Sequence, residues 1–272
     1  MEIRIKSSHP KLNLNFQEIW EYRDLFYIFT WRDIKVRYKQ TILGVIWALL
    51  QPLLSMVVFT VFFGNLAKIP SNNVPYPLFV YSGLVFWNFF AGALTQASNS
   101  LIENEEMLKK VYFPKIILPL SSVVTHAVDF LINLILLVVL SVTYGYFPSI
   151  WFIPFVLIAF VIVVFTASGL GFLMSSVNVR YRDVRYILPF FIQILIFLTP
   201  VIYPLSLATG YKRFFLTLNP LTGAIELVKS SLFSNTIIDL KLLPISIIVS
   251  LSVFFLGVYI FNKLQTHFAD II

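Results

Sequence analysis

Residues Ile42–Gly64 read ILGVIWALLQPLLSMVVFTVFFG, twenty-three positions without a charged side chain. A helix needs about 20 apolar residues to cross a ~30 Å hydrocarbon layer, and this run supplies them unbroken. Five more stretches do the same: Pro77–Ala97, Ile116–Thr143, Ile150–Ser176, Ile187–Leu205 and Leu242–Asn262. Backbone polar groups in lipid must be satisfied within helices or a closed barrel. Barrel strands alternate over about ten residues, whereas these runs are continuously apolar. The sequence therefore predicts an all-α membrane protein with six transmembrane helices.

Composition agrees. Of 272 residues, 58% are hydrophobic and 12% charged, against roughly a quarter charged in ordinary globular proteins. A chain with a mean hydropathy of +0.86 has too few charges to coat a water-facing surface and too many apolar residues to be disordered. The net charge of +7 sits in short blocks between apolar runs, which argues against a nucleic-acid partner. Without cysteines the chain has no disulfides, no thiol chemistry and no Cys-ligated metal. Charges are spread through the first 40 residues, so no cleavable signal peptide is expected.

The basic residues set orientation. With six spans, fifteen of them share the side that holds both ends, and five lie opposite: Lys68, Lys212, Arg213, Lys229 and Lys241. Both termini are expected in the cytoplasm of a bacterial cell, with the chain multi-pass in the inner (plasma) membrane. Residues 1–40 read as a cytoplasmic segment, and 41–272 as one six-span permease domain. Within the first, Phe16–Thr30 mixes Trp20, Leu25, Phe26, Ile28 and Phe29 with Glu18, Glu21, Arg23 and Asp24. That is too polar to span and apolar enough to lie as an amphipathic interface helix; a soluble helix capping the same face is the plainer alternative. Between spans five and six, Phe214–Leu218 and Ala224–Leu232 are broken at Asn219-Pro220 and Thr222-Gly223. Too short to cross, they read as re-entrant outer helices, because exposed apolar surface of that size is unfavourable.

Catalytic motifs are missing. None of the ten glycines precedes a lysine, so there is no phosphate-binding loop for ATP. No zinc-hydrolase pair of histidines and no nucleophile elbow appears either. The chain reads as non-enzymatic, and a membrane-embedded lipid-modifying enzyme lacks its polar cluster. Asp129, with His126 one turn earlier, is the one acid clearly inside a span, which opens an ion-coupled secondary transporter as an alternative. Asp129→Asn should abolish transport by that route and matter little otherwise.

Two basic blocks stand at span entrances, Arg32-Asp33-Ile34-Lys35-Val36-Arg37-Tyr38-Lys39 and Val179-Arg180-Tyr181-Arg182-Asp183-Val184-Arg185-Tyr186. Positive-inside anchoring accounts for the charges; the recurrent Arg-Tyr-Lys/Arg also fits the phosphate of a lipid-linked substrate, held by Arg32, Lys35, Arg37, Lys39, Arg180, Arg182 and Arg185. The loop from Glu103 through Glu105, Glu106, Leu108 and Lys109 to Tyr112 and Phe113 is amphipathic and stops at Pro114, with acids first and lysines last, as a helix dipole favours. Aromatics reach 17%; most would pack or face lipid, and some faces could stack on sugar rings. Small residues Ala167, Ser168, Gly169, Gly171 and Ser175 in span four point to close helix–helix approach.

Taken in order, WRDIKVRYKQTILGVIWALLQPLLSMVVFTVFFG (Trp31–Gly64), PYPLFVYSGLVFWNFF (Pro75–Phe90), NEEMLKKVYFPKIILPLS (Asn104–Ser121), NVRYRDVRYILPFFIQILIFLTPVIYP (Asn178–Pro204) and LNPLTGAIE (Leu218–Glu226) resemble ATP-binding-cassette exporter permeases of the polysaccharide and polyol-phosphate subgroup, most of all the Wzm-type O-antigen permease. The resemblance implies a homodimeric channel of two permeases with two separate ATPase subunits. ATP and Mg are used there, and this chain binds no cofactor. It implies that Glu103–Phe113 docks in the ATPase, that the turn with Leu43-Gly44 flanks the substrate's way in, and that Phe214–Leu232 forms the outer gate. Phe59, Phe62, Trp87, Phe89, Phe90, Phe191 and Phe197 are candidate channel aromatics. The implied cargo is a lipid-linked polysaccharide, with teichoic acid or capsule as alternatives, in a setting of membrane lipid.

Overall fold

The computed structural model describes residues 16–39, 44–233 and 241–265; Leu43 of the expected entrance turn lies outside them. Every regular element among the described residues is helical. The first described helices are α1 (Phe16–Glu21) and the more polar α2 (Arg23–Lys39). The long apolar ones are α3 (Gly44–Phe59), α4 (Tyr76–Glu103), α6 (Ile117–Thr143), α7 (Phe152–Arg180) and α11 (Leu242–Leu264). Between them lie α5 (Glu105–Lys110), α8 (Val184–Leu195), α9 (Gly210–Thr217) and α10 (Pro220–Leu232).

Among the described residues, five helices are long and apolar enough to cross a membrane: α3 with its continuation to Leu66, α4, α6, α7 and α11. The fifth expected stretch is not one long helix. Of Ile187–Leu205 only the part up to Leu195 is helical, and the twelve residues of α8 reach about 18 Å at 1.5 Å each, short of a crossing. The cause is local. Pro200 lacks an N–H and disfavours helix at Thr199 before it, so the chain turns through 196–204. Its carbonyls are claimed from outside: Tyr76 Oη donates to Ile202 at 2.7 Å and Lys229 Nζ to Pro200 at 2.8 Å.

α4 is the hub. Phe86 and Phe89 meet Phe130 of α6 at 5.1 and 5.4 Å, and Phe160 of α7 joins them at 4.9 Å from Phe130. Aromatic pairs at this spacing contribute about 0.5–1.5 kcal/mol beyond area burial. In lipid, where apolar association has little solvent drive, such packing carries much of the stability. Among the small residues of span four, Gly169 meets Gly257 of α11 backbone to backbone, and Gly171 faces Ala97 of α4. A second core gathers Phe29, Leu101, Phe113, Ile117, Phe172 and Phe261 at the end of the bundle that holds α2 and α5.

At the opposite end, α9 and α10 replace the two expected short runs. The break falls at Asn219-Pro220, where the Asn219 side chain caps Leu221 N–H at 3.0 Å. No break occurs at Thr222-Gly223. Gly223 stays helical because the absence of a side chain lets α10 lie against Ser246 and the Leu242 carbonyl.

Candidate functional site

The α2/α5 end carries the expected docking loop. α5 forms with Glu105 and Glu106 in its first turn and Lys109 and Lys110 in its last, paired i to i+4 at 2.8 and 3.6 Å. Lys109, by its hydrogen bond first and its charge second, holds the Glu105 carboxyl below its ordinary value, and Arg182 across the loop adds to this. Glu103 ends α4, exposed like Glu106 and Lys109, and Leu108 is half-buried on the second core. Tyr112 is 81% exposed; its hydroxyl reaches Glu18 of α1 at 3.4 Å, whose charge raises the phenol's pKa. Phe113, by contrast, is buried and stacks 5.7 Å from Phe29 of α2. It anchors the loop, while Lys109, Lys110, Val111 and Tyr112 face outward beside an open recess of about 750 Å³.

The seven basic candidates separate into two groups. Arg32 is bound to Asp33 at 2.8 Å and donates to Asn104 Oδ1 at 3.0 Å. Arg37 is bound to Asp129 at 2.7 Å and lies 2.8 Å from His126 Nε2. Lys35, Lys39, Arg180, Arg182 and Arg185 are exposed, with Arg180 over the Tyr181 ring at 5.4 Å. These five lie on α2 and around the α7–α8 turn.

Asp129 and His126 share one face of α6, His126 buried and Asp129 partly so. With Arg37, Gln51, Asn88 and Asn133 they wall a polar chamber of about 150 Å³ between α2, α3, α4 and α6. Tyr38 donates its hydroxyl to Asp129, and burial, reinforced by that carboxylate, keeps the phenol's pKa above its ordinary value. Sequence reasoning missed the Arg37 partnership. A lone acid inside a span is itself the signal that a cation must reach it.

The channel candidates are dispersed. Phe62 is exposed on the continuation of α3 to Leu66, Phe191 on α8 and Phe197 in the turn after it, and Phe59 is half-buried against Phe63. Trp87, Phe89 and Phe90 are buried in the protomer. Phe89 belongs to the aromatic hub, whereas Trp87, Phe90 and Phe191 share an apolar cavity of about 560 Å³ that reaches Phe215 and Leu218 near α9. Two further residues were not singled out as site candidates: Glu226, inside a stretch taken as apolar, and Lys229, which counted only as an outer-side charge and is 1% exposed.

These features define a multi-pass helical membrane protein. Residues 24–233 match the family described as ABC-2 type transporter, and the chain belongs to that family. It is 31% identical over 252 residues to an O-antigen export system permease protein RfbA of Klebsiella pneumoniae, covering 92% of this chain and 95% of that protein. The RfbA of Myxococcus xanthus is 29% identical over 257 residues, covering 93% and 97%. The polysialic acid transport protein KpsM of Escherichia coli is 20% identical over 211 residues, covering 76% and 80%.

Proposed function

We propose that this chain is the membrane subunit of an ATP-driven exporter that carries a lipid-linked polysaccharide of the O-antigen kind out of the cytoplasm. The observation that carries the reading is its likeness, end to end, to the RfbA permeases. The chain acts as a homodimer with two ATPase subunits. The α2/α5 end faces the cytoplasm, α8 and its turn serve as the sixth crossing, and α9 and α10 dip into the outer leaflet as a gate. α5, with Lys109, Lys110 and Tyr112 exposed, is the ATPase contact. Lys35, Lys39, Arg180, Arg182 and Arg185 attract the pyrophosphate of the lipid carrier at headgroup depth. Phe62, Phe191 and Phe197, exposed along the continuation of α3 and on α8 and its turn, line the path between the two copies and offer sugar rings a surface without fixed register. Direction comes from ATP, which must bind the conformational states unequally to bias them.

Capsule export is the second reading, favoured by the weaker likeness to KpsM. The purified permease is expected to hydrolyse no ATP until its cassette ATPase is added. In proteoliposomes, that hydrolysis should rise several-fold with undecaprenyl-pyrophosphate-linked polysaccharide. Stimulation by a polyol-phosphate or capsular polymer instead would transfer the assignment, and hydrolysis by the permease alone would remove it. Charge reversal at the docking helix, Lys109→Glu with Lys110→Glu, should cut the copurifying ATPase at least tenfold, about 1.4 kcal/mol of binding. A full complement of ATPase on that variant would place the contact elsewhere.

A further inference from the structure

Arg32 and Arg37 are the two basic candidates whose charge is already spoken for, and their partners point to a different task. Five residues apart on α2, they are separated by about 7.5 Å along the axis and roughly 140° around it, so they engage different neighbours. Arg32 holds Asn104, the residue between α4 and α5, which in turn bonds Ser100 at 2.8 Å. Arg37 reaches α6. The Ser122 carbonyl accepts from His126 Nδ1 at 3.0 Å, so that nitrogen carries the ring proton and Nε2 accepts from Arg37 at 2.8 Å. One Asp129 oxygen takes Arg37 at 2.7 Å and the other takes the Tyr38 hydroxyl. The network continues inward. Asn133 Nδ2 donates to the Asp129 carbonyl at 2.8 Å and to Ala48 of α3 at 3.1 Å, and Asn133 Oδ1 accepts from Tyr81 of α4. His126 is wedged against α4, since a Cβ on Gly92 would come within 2.5 Å of its ring.

We propose that α2 is a two-point clamp, in which Arg32 grips the joint that carries the docking helix and Arg37 with Tyr38 grips α6, so that displacement of α5 is delivered through Asp129 and Asn133 to the first span. The inference rests on α5 being the ATPase contact. Apolar packing of Phe29 against Phe113 would seat α2 without fixing its rotation; directional bonds at two points fix both rotation and register. A charge pair whose arginine side chain is 40% exposed adds little to stability, so its value here lies in that fixed geometry. Arg32 and Arg37 are then positioning residues, and the pyrophosphate is left to the exposed basic residues. Loss of transport in Asp129→Asn accordingly no longer singles out ion coupling.

The test is a double-mutant cycle in the reconstituted permease–ATPase complex, read as polysaccharide moved per ATP hydrolysed. Arg37→Ala and Asp129→Ala are each expected to keep ATP hydrolysis within about twofold and to lower that ratio at least tenfold, with the double variant no worse than either, because the two act as one unit. An unchanged ratio in the single variants overturns the clamp, as do losses that multiply in the double. A loss confined to Arg37→Ala also overturns it and returns that residue to the phosphate. If the alanine variants fail to accumulate, Tyr38→Phe and Arg37→Lys decide it: intermediate ratios support the clamp and wild-type ratios in both refute it. Failure of the docking assignment looks different, because the wild-type permease would then neither bind nor stimulate the ATPase. Amide hydrogen exchange of α2 in the permease alone provides a partner-free check. Faster exchange at residues 30–39 in Arg37→Ala is expected, and exchange equal to wild type counts against the clamp.

Discussion

Lys229→Met should lower the stability of the permease by about 3 kcal/mol, the scale of breaking a buried charge pair by removing one partner. The Lys229 side chain is 1% exposed. Its ammonium donates to the Pro200 carbonyl at 2.8 Å and sits 3.6 Å from the centre of the Phe79 ring. The Pro200 carbonyl belongs to the turn that ends α8, where the helix has been interrupted and its acceptors need partners from elsewhere. Methionine keeps the length of the stem but leaves that carbonyl without this donor and Glu226, one turn earlier on α10, without the opposite charge that offsets it. Glu226 Oε1 is buried and finds no donor among the described residues, and the Leu205 backbone N–H and the Arg213 charge compensate the carboxylate less than Lys229 does. Two consequences separate this account from a simple packing loss. Lys229→Met with Glu226→Gln should recover at least half of the deficit, since it removes the stranded charge. Export should also fall with Lys229→Met even at temperatures where the protein stays folded, because α10 loses its tie to the turn. Thermal melting in detergent, followed through the five tryptophans, measures the first. If Lys229→Met melts with the wild type, or the second substitution deepens the loss, the ammonium is not what fastens α10.

Lys229 also shows where the sequence stops being informative. Apolar runs locate α3, α4, α6, α7 and α11 to within a few residues, because lipid demands length and hydrophobicity and both are local properties. α5 is equally legible, since Glu105 and Glu106 at one end, Lys109 and Lys110 at the other and Pro114 beyond are all short-range signals. What depends on partners far along the chain is not legible. Hydropathy cannot distinguish Ile187–Leu195 from the residues that follow Thr199-Pro200, although one half is helix and the other a turn held by Tyr76 and Lys229. Arg37 and Lys35 look alike in sequence, yet one is bound to an acid 92 positions away and the other is exposed. Gly223 reads as a helix breaker until the Leu242–Ser246 turn it accommodates is known. For the site, sequence supplied the set of charged and aromatic candidates, and only the fold divided those that tie helices together from those that face outward.

Gly257→Leu is expected to prevent the permease from reaching a monodisperse folded state, and Gly257→Ala to cost about 3 kcal/mol, at the upper end of what overpacking exacts. A Cβ on Gly257 would stand 2.0 Å from the Gly169 carbonyl oxygen, and one on Gly169 would stand 2.6 Å from Phe254 Cα and the Val253 oxygen. Both obstacles are backbone, so no side-chain rotation can relieve them, and α7 and α11 must separate. Separation is expensive because the same crossing seats Phe254 against Phe165 at 4.9 Å and against Phe172 at 5.9 Å. In lipid a loosened pair of helices recovers little by burying apolar surface elsewhere. The expected series is graded by what the new atom meets. Gly171→Ala touches only the Ala97 methyl, at 2.8 Å, and should be milder than Gly169→Ala, with Gly257→Ala the most severe. Gly145 has nothing within 4 Å of such an atom but a φ of +80°, so its alanine variant reports backbone strain alone, about 1 kcal/mol. Size-exclusion profiles and melting temperatures of the four alanine variants test the order. A Gly257→Ala protein as stable as wild type would mean that α7 and α11 do not meet backbone to backbone, and that the small residues of the fourth apolar stretch serve some other contact.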